Sequence, residues 1–382
     1  MMGEIALRYP PKALVVSTGA YEGSAASDAR FPQVIDRVGI RATRLRTIQG
    51  LGVWGWRAGR LAKRWRPGFT WCAELKPAGY PARWLAARRG IPYGVIVYGT
   101  ELLLIQEKIA RSRFKRGTAE SIIGNAAVIV AISNWTANLA LDVVTALDVV
   151  VPVETVPLGT TPSHFRPGVD TSAVRTKYGL HGGPWLLTVA RLERHKGIDT
   201  VMRALAAVRA AHPTARYAVV GTGERLPLFE QLQRELGLGD AVRFLGPVHD
   251  DELPALYNAA DLYVGASRRV EGLAEGFGIS LVEASACGLA VVGGRSGGVP
   301  DAVGDGETGI LVDPDDPAAV AAGINGLLAD PERRKRLGAA GRKAVESYYN
   351  WDRVVTDLME IDRRYRLTPI SSFPVSAPPD AR

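Results

Sequence analysis

Short, almost wholly apolar runs separated by helix-length segments constrain this chain more than any other feature. In the first half the runs fall at Ala13–Ser17, Phe69–Ala73, Val95–Tyr98, Ala127–Ile132 and Val150–Val156. A further short strand is expected within Phe31–Val38 of the loop-like stretch from Gly19 to Arg46. Helical patterns lie among them at Gly52–Pro67, Pro81–Arg89, Leu103–Asn125 and Asn134–Leu141. Strands this short and this apolar are buried on both faces, as parallel strands are when helices cover each side. Alternation of the two patterns implies a doubly wound α/β sheet. The Pro- and Gly-rich stretch PLGTTPSHFRPGV, 157–169, reads as a linker. A second alternating set follows, with strands expected at Trp185–Ala190, Ala215–Gly221, Val242–Leu245, Leu262–Val264 and Leu289–Val292. Its helices are expected at Gly197–Ala211, Arg225–Leu236, Asp250–Asn258, Ile279–Cys287, Pro317–Leu328 and Pro331–Tyr348. The expected division is therefore a first domain over 1–158, a second over 159–350, a last helix over 351–367 and a disordered tail over 368–382.

Length and composition agree with two cores. At 382 residues and 47% hydrophobic content the chain exceeds what one ordinary core organises. No run of about 18 uncharged apolar residues is present, so no membrane span is expected. Glu4, Arg8 and Lys12 interrupt any secretory h-region. Cys72 and Cys287, far apart and outside any ligand-like spacing, read as buried thiols of a reducing, cytoplasmic compartment.

Charge is unevenly spread. Residues 1–158 carry 21 Lys/Arg against 11 Asp/Glu, a net of +10, whereas the remainder carries 26 against 28. An excess confined to one half points to an anionic partner such as a membrane surface. Nucleic acid is not expected, because no recognition motif accompanies the charge. At helical spacing Trp54, Ala58, Leu61 and Trp65 share one stripe, with Arg57, Arg60, Lys63, Arg64 and Trp56 on the other faces. Two readings stand side by side. The stripe is that of an ordinary helix packed on a sheet. The arginines and Trp56 make a membrane-surface face.

Three motifs carry chemistry. Arg191 follows the strand ending at Ala190, and Lys196 opens the next helix. Ligands bind beyond strand C-termini in such sheets, and two cations beside a helix start suit a diphosphate. A solvated helix start is the bland alternative. Gly221-Thr222-Gly223 is a glycine turn common to doubly wound domains. The sharpest stretch is VEGLAEGFGISLVEASACGLAVVGGRSGGVP, 270–300. Glu275 precedes a Gly-Phe-Gly turn whose glycines admit close backbone approach. Glu283 follows in the first turns of a helix, where it can bond two adjacent hydroxyls of a ribose, although the helix dipole alone also favours a carboxylate there.

Together ARLERHKG, VVGTGE, RFLGPV, AADLYV, EGFGISLVEASACGLAVVGGRSGGVPDAV and GILVDPDDP resemble the retaining glycosyltransferases of family 4, over about residues 40–366 and most specifically over 185–316. SRRVEGLAEGFGI is most similar to the bacterial phosphatidylinositol mannoside mannosyltransferases. The resemblance implies the GT-B fold, two Rossmann-like domains facing across a cleft. It implies that Arg191 and Lys196 bind the donor diphosphate and that Glu275 holds hydroxyls of the transferred sugar. Glu283 would bind the ribose. The backbone amides of Phe277, Gly278 and Ile279 would line the sugar and phosphate pocket, and Val248 would lie near the base. Trp351–Tyr365 would cross back to the first domain. No metal and no cofactor are implied beyond a GDP- or UDP-linked sugar donor, and DPDD at 313–316 reads as a turn capping the next helix.

Two departures follow from the same comparison. Where the family carries a histidine in an H-G-x-E segment, this chain has Tyr98-Gly99-Thr100-Glu101, with Tyr98 able to donate to a sugar hydroxyl. Glu4–Tyr9 matches the end of the family's first helix and Ala13–Ser17 its second strand, so the opening strand, Gly-Gly loop and most of that helix are expected to be missing from residues 1–382. A lost central strand would leave apolar edges. The reading is a cytoplasmic, peripherally membrane-associated hexosyltransferase acting on a lipid-linked or polysaccharide acceptor. A non-catalytic nucleotide-sugar binder and a sugar-nucleotide epimerase are the alternatives.

Overall fold

The structure is a computed structural model and describes residues 2–39 and 46–366. The chain opens with α1 (Met2–Arg8), β1 (Val15–Gly19), α2 (Ser24–Asp28) and β2 (Val34–Val38). Next come α3 (Arg46–Trp65), β3 (Thr70–Cys72), α4 (Gly79–Arg89) and β4 (Tyr93–Val97). Then follow α5 (Thr100–Arg111), α6 (Arg113–Ile123), β5 (Val128–Ala131), α7 (Asn134–Leu147) and β6 (Val153–Thr155). The single helix expected over Leu103–Asn125 is two. The chain extends at Ser112, whose hydroxyl caps α6 by accepting from the Lys115 N–H. That local option competes with helix continuation wherever a serine is followed by a fresh apolar face.

Residues 157–350 hold α8 (Ser172–Tyr178), β7 (Trp185–Val189), α9 (Ile198–Ala211), β8 (Arg216–Val220), α10 (Leu226–Glu235) and β9 (Val242–Gly246). They continue with α11 (Leu253–Ala259), β10 (Leu262–Gly265), α12 (Ile279–Ala286), β11 (Val291–Gly294) and α13 (Val299–Ala302). β12 (Ile310–Val312), α14 (Pro317–Ala329) and α15 (Pro331–Ser347) complete the segment, and α16 (Trp351–Arg366) ends the described chain. α8, α13 and β12 are too short to show a period in the sequence. The tail expected to be disordered lies outside the described residues.

Two compact units result, one of residues 1–156 with 351–382 and one of 157–350. The second holds a six-stranded parallel sheet in the order β12-β11-β10-β7-β8-β9. β7 and β10, first and fourth of these strands in sequence, lie side by side at its centre. The order therefore reverses there, and the C-terminal ends of those strands flank a switch point. Leu186, Val219, Leu262, Val264 and Val292 are buried beneath Val201, Leu205, Val320 and Ile324 of α9 and α14. Burial on both faces explains the unbroken apolar runs.

The first unit divides its strands between two sheets. β3-β4-β5-β6 form a parallel set around Val95, Val97 and Ile129, and β1 pairs in parallel with β2. Among the described strands β1 has no partner but β2, and β3 none but β4. A cavity of about 390 Å³ is lined by Val15 and Ser17 of β1, Thr70 and Cys72 of β3, and Trp54, Ala58, Leu61 and Trp65 of α3. The Trp54–Trp65 stripe thus faces the sheet edges, as an ordinary packed helix would. The cations on the other faces are not all unpartnered, since Arg57 pairs with Asp36 of β2. α16 closes the unit: Arg364 Nη1 and Tyr365 Oη both donate to Glu154 Oε1, at 2.6 and 2.9 Å.

Candidate active site

The site is built where β7 and β10 end. Beyond β7 the chain makes a 3₁₀ turn at Arg194–Lys196, so Lys196 stands just before α9 rather than on it. Gly197 then takes φ 67°, and a Cβ there would lie 1.8 Å from the Ala266 carbonyl oxygen. Only glycine allows the turn after β7 to approach the end of β10 this closely. The approach brings Lys196 to Glu275, with Nζ 2.6 Å from Oε2 and side chains 15% and 19% exposed. Ser267 Oγ donates to the same oxygen at 3.2 Å. Burial pushes the Glu275 carboxyl up, but the charge and hydrogen bond of Lys196, with smaller help from Ser267 and His195, bring it below the ordinary range. Glu275 is therefore a fixed anion, and Lys196 is a cation held by it at a strand end.

His195 is buried and held neutral, chiefly by burial and then by Lys196. Its Nδ1 lies 3.3 Å from Glu193 Oε2 without the alignment of a hydrogen bond. Among the described residues no hydrogen bond to its Nδ1 is present.

Arg191 is not part of the Lys196–Glu275 pair. Its side chain is 72% exposed and its Nη1 lies 2.6 Å from Glu193 Oε1. With His195, Thr222, Gly223 and Leu273 it lines a pocket of about 470 Å³. Thr222 and Gly223, of the glycine turn after β8, form one wall of the same pocket.

Gly278, at φ 101°, starts α12, and Glu283 sits in that helix's second turn. Tyr257 Oη donates to Glu283 Oε2 at 2.8 Å. Burial nevertheless pushes the carboxyl up to about 7, since Tyr257 lowers it only in part and Asp250 adds to the rise. This carboxyl holds its proton more readily than an ordinary one, the opposite of Glu275. The Phe277 side chain is 1% exposed, with its ring 6.1 Å from that of Tyr349, so it is core. What position 277 can offer a ligand is its backbone, and no hydrogen bond from the Phe277 or Gly278 N–H is present among the described residues. Ile279 is the first residue of α12 and is partly buried. Val248 is partly buried in the loop after β9.

In the first unit Tyr98 directly follows β4, and its hydroxyl donates to Met2 Sδ at 3.5 Å. Burial pushes the phenol well up. Its backbone N–H donates to Glu101, which is itself raised, mainly by burial.

Sequence reasoning missed Ser267, Tyr257 and Glu193. Ser267 was within reach, because it lies two residues beyond β10, at the sheet end where ligands bind. Tyr257 of α11 meets Glu283 of α12 across 26 residues of sequence, a pairing for which the sequence carries no local pattern. Among the described residues no three His, Cys, Asp or Glu side chains group as a metal site requires.

A family profile, glycosyl transferases group 1, matches residues 170–344, which span Arg191, Lys196, Glu275 and Glu283 but not Tyr98. A GDP-mannose-dependent alpha-(1-6)-phosphatidylinositol monomannoside mannosyltransferase of Mycolicibacterium smegmatis is 35% identical over 287 residues, 74% of this chain and 72% of that protein. The chain belongs to the group 1 glycosyl transferases. Its identity to a D-inositol 3-phosphate glycosyltransferase of Acidothermus cellulolyticus is also 35%, over 55% of this chain and 48% of that enzyme. The solved structure of Anabaena HepE in complex with UDP superposes with a TM-score of 0.78 over 95% of both chains, at 18% identity. The likeness confirms the fold expected from the sequence, GT-B with Rossmann-like domains. No described helix is long and apolar enough to cross a membrane.

Proposed function

We propose that this glycosyltransferase moves a hexose of the mannose or glucose type, with retention, from a GDP- or UDP-linked sugar to a lipid-linked or polysaccharide acceptor. The observation that carries the reading is the Lys196–Glu275 pair, a sequestered ion pair at the switch point of the second unit's sheet. Lys196 faces the donor diphosphate and stabilises the charge that develops on it as the sugar departs. Glu275, already an anion, accepts from sugar hydroxyls. Arg191, exposed and adjustable, closes on the phosphates from the Gly221–Gly223 side. The N–H groups of Phe277, Gly278 and Ile279 at the start of α12 supply further donors to sugar and phosphate. Glu283 accepts from the ribose hydroxyls, and Val248 borders the base.

In the reaction the bond from the sugar's anomeric carbon to the phosphate oxygen breaks. The acceptor oxygen bonds to that carbon on the same face. The acceptor's proton passes to the departing phosphate oxygen. Neither glutamate has to move a proton, and the transfer is metal-independent. The mannosyltransferase relatives support the donor class, and the basic first unit supports an anionic, membrane-borne acceptor at the inner face of the cell membrane. The epimerase alternative gives way to family membership.

The test is a panel of GDP- and UDP-sugars read by thermal shift and by product analysis. The correct donor at a hundredfold excess over its dissociation constant stabilises the protein by about 2.7 kcal/mol. A panel in which no nucleotide sugar raises the melting temperature overturns the assignment of the donor site.

A further inference from the structure

α3 and α4 of the first unit enclose a groove of about 690 Å³, within the roughly 300–1,000 Å³ range of ligand sites. On α3, Gly52, Gly55 and Gly59 leave one face without side chains, and a Cβ at Gly52 or Gly55 would meet nothing within 4 Å. Gly59 lets the Trp84 ring of α4 lie against the helix backbone, where a Cβ would come within 3.2 Å of it. Tyr80 and Pro81 continue the apolar lining, and Trp56 and Trp84 stand 61% and 40% exposed beside it. Three cations ring the opening, Arg60, Lys63 and Arg89, with the Arg60 guanidinium 4.9 Å over the Trp56 ring. Among the described residues none of the three pairs with a carboxylate, whereas Arg57, one turn away, pairs with Asp36.

An apolar slot with exposed tryptophans and unneutralised cations at its mouth matches one chemistry. It suits an apolar chain that ends in a phosphate, with the tryptophans at the depth where ring and headgroup meet. We propose that the α3–α4 groove is a binding site for a single anionic phospholipid. It seats one acyl chain against Gly52, Gly55 and Trp84 and holds the phosphate with Arg60, Lys63 and Arg89. The site rests on the membrane-associated reading above but goes beyond it, because charge alone would hold the protein near a bilayer without any groove.

The experiment uses the full chain and vesicles of phosphatidylglycerol with phosphatidylcholine, or phosphatidylcholine alone, with brominated acyl chains that quench nearby tryptophans. Wild type should sediment with the phosphatidylglycerol vesicles and lose fluorescence, and Trp56→Phe with Trp84→Phe should remove most of that loss. Gly55→Leu fills the slot, keeps every cation and places a better helix former in α3. It should keep its melting temperature, lose about tenfold or more in vesicle affinity, and lose the quenching. Arg60→Ala with Lys63→Ala should lose the preference for phosphatidylglycerol. If wild type sediments with neither vesicle at low salt, the membrane reading itself fails. If wild type binds and Gly55→Leu binds and quenches equally, membrane association stands but the groove proposal is overturned. A Gly55→Leu variant that instead turns a dimer into a monomer would assign the groove to a second copy of the chain, with the same effect on the proposal.

Discussion

Replacing Lys196 with alanine should do two separable things. Lys196 is the only cation bonded to the Glu275 carboxylate among the described residues, and both side chains are more than four-fifths buried. Without it the carboxylate keeps the Ser267 hydroxyl, one neutral hydrogen bond at 3.2 Å. Removing one partner of a buried pair costs about 3–5 kcal/mol, and a pair that retains some solvent falls at the low end, about 3 kcal/mol. For a unit of this size that lowers the melting temperature by roughly 6–12 °C at pH 7.5. The pH dependence then changes sign. In the wild type the Glu275 pKa is depressed below 4.5, so its contribution to stability is present above that pH and is lost as pH falls through the folded value. In the variant, burial acts with no cation to oppose it and the folded pKa rises above 4.5. Stability is then best at low pH and declines as pH rises. The gap between wild type and variant should therefore be smaller near pH 4.5 than at pH 7.5. Transfer should fall by about 10²–10³, the usual cost of one donor aimed at developing charge. A melting-temperature gap that is equal at pH 4.5 and 7.5, or turnover that survives, would refute the reasoning.

Other residues of the site test different parts of it. Arg191→Ala should leave stability within about 0.5 kcal/mol by urea melts, because the side chain is 72% exposed, yet weaken nucleotide-diphosphate binding about tenfold or more by calorimetry. Glu283, raised to about 7, contributes stability that falls as pH rises between 4.5 and 7. Glu283→Gln should accordingly be more stable than wild type at pH 8 by up to about 3 kcal/mol, while binding nucleotide more weakly. In the wild type, nucleotide affinity should rise from pH 6 to 8 and binding should release protons, seen as a buffer-dependent binding enthalpy. Transfer should be unchanged by excess EDTA, and loss of activity restored by Mg²⁺ would contradict the metal-independent reading.

Much of this was legible in the sequence for physical reasons that can be named. β7, β8 and β10 lie in a parallel sheet covered on both faces, so their apolar runs were unbroken and their positions readable. The Glu275-Gly-Phe-Gly turn was readable because it needs glycine where the backbone bends, and Gly278 is at φ 101°. Partnerships were less readable. Lys196 and Glu275 are 79 residues apart, and only the close pass of Gly197 beneath Ala266 brings them together. The pairing of Arg191 with Glu193, two residues on, was not readable either, because adjacent opposite charges in a loop carry no signal of whether they meet. The contrasting charge states of Glu275 and Glu283 depend on Lys196 in one case and on its absence in the other. The break at Ser112 was hidden because both flanking segments keep helical periodicity.

The most direct test of the central claim is the anomeric configuration of the product. The full chain would be supplied with anomerically pure GDP-mannose or UDP-glucose and a lipid-linked acceptor, and the glycoside formed would be read by NMR. The account predicts a new glycoside with the donor's α configuration, lost in Lys196→Ala. A β-linked product, or a donor that binds and is neither transferred nor hydrolysed, would contradict it.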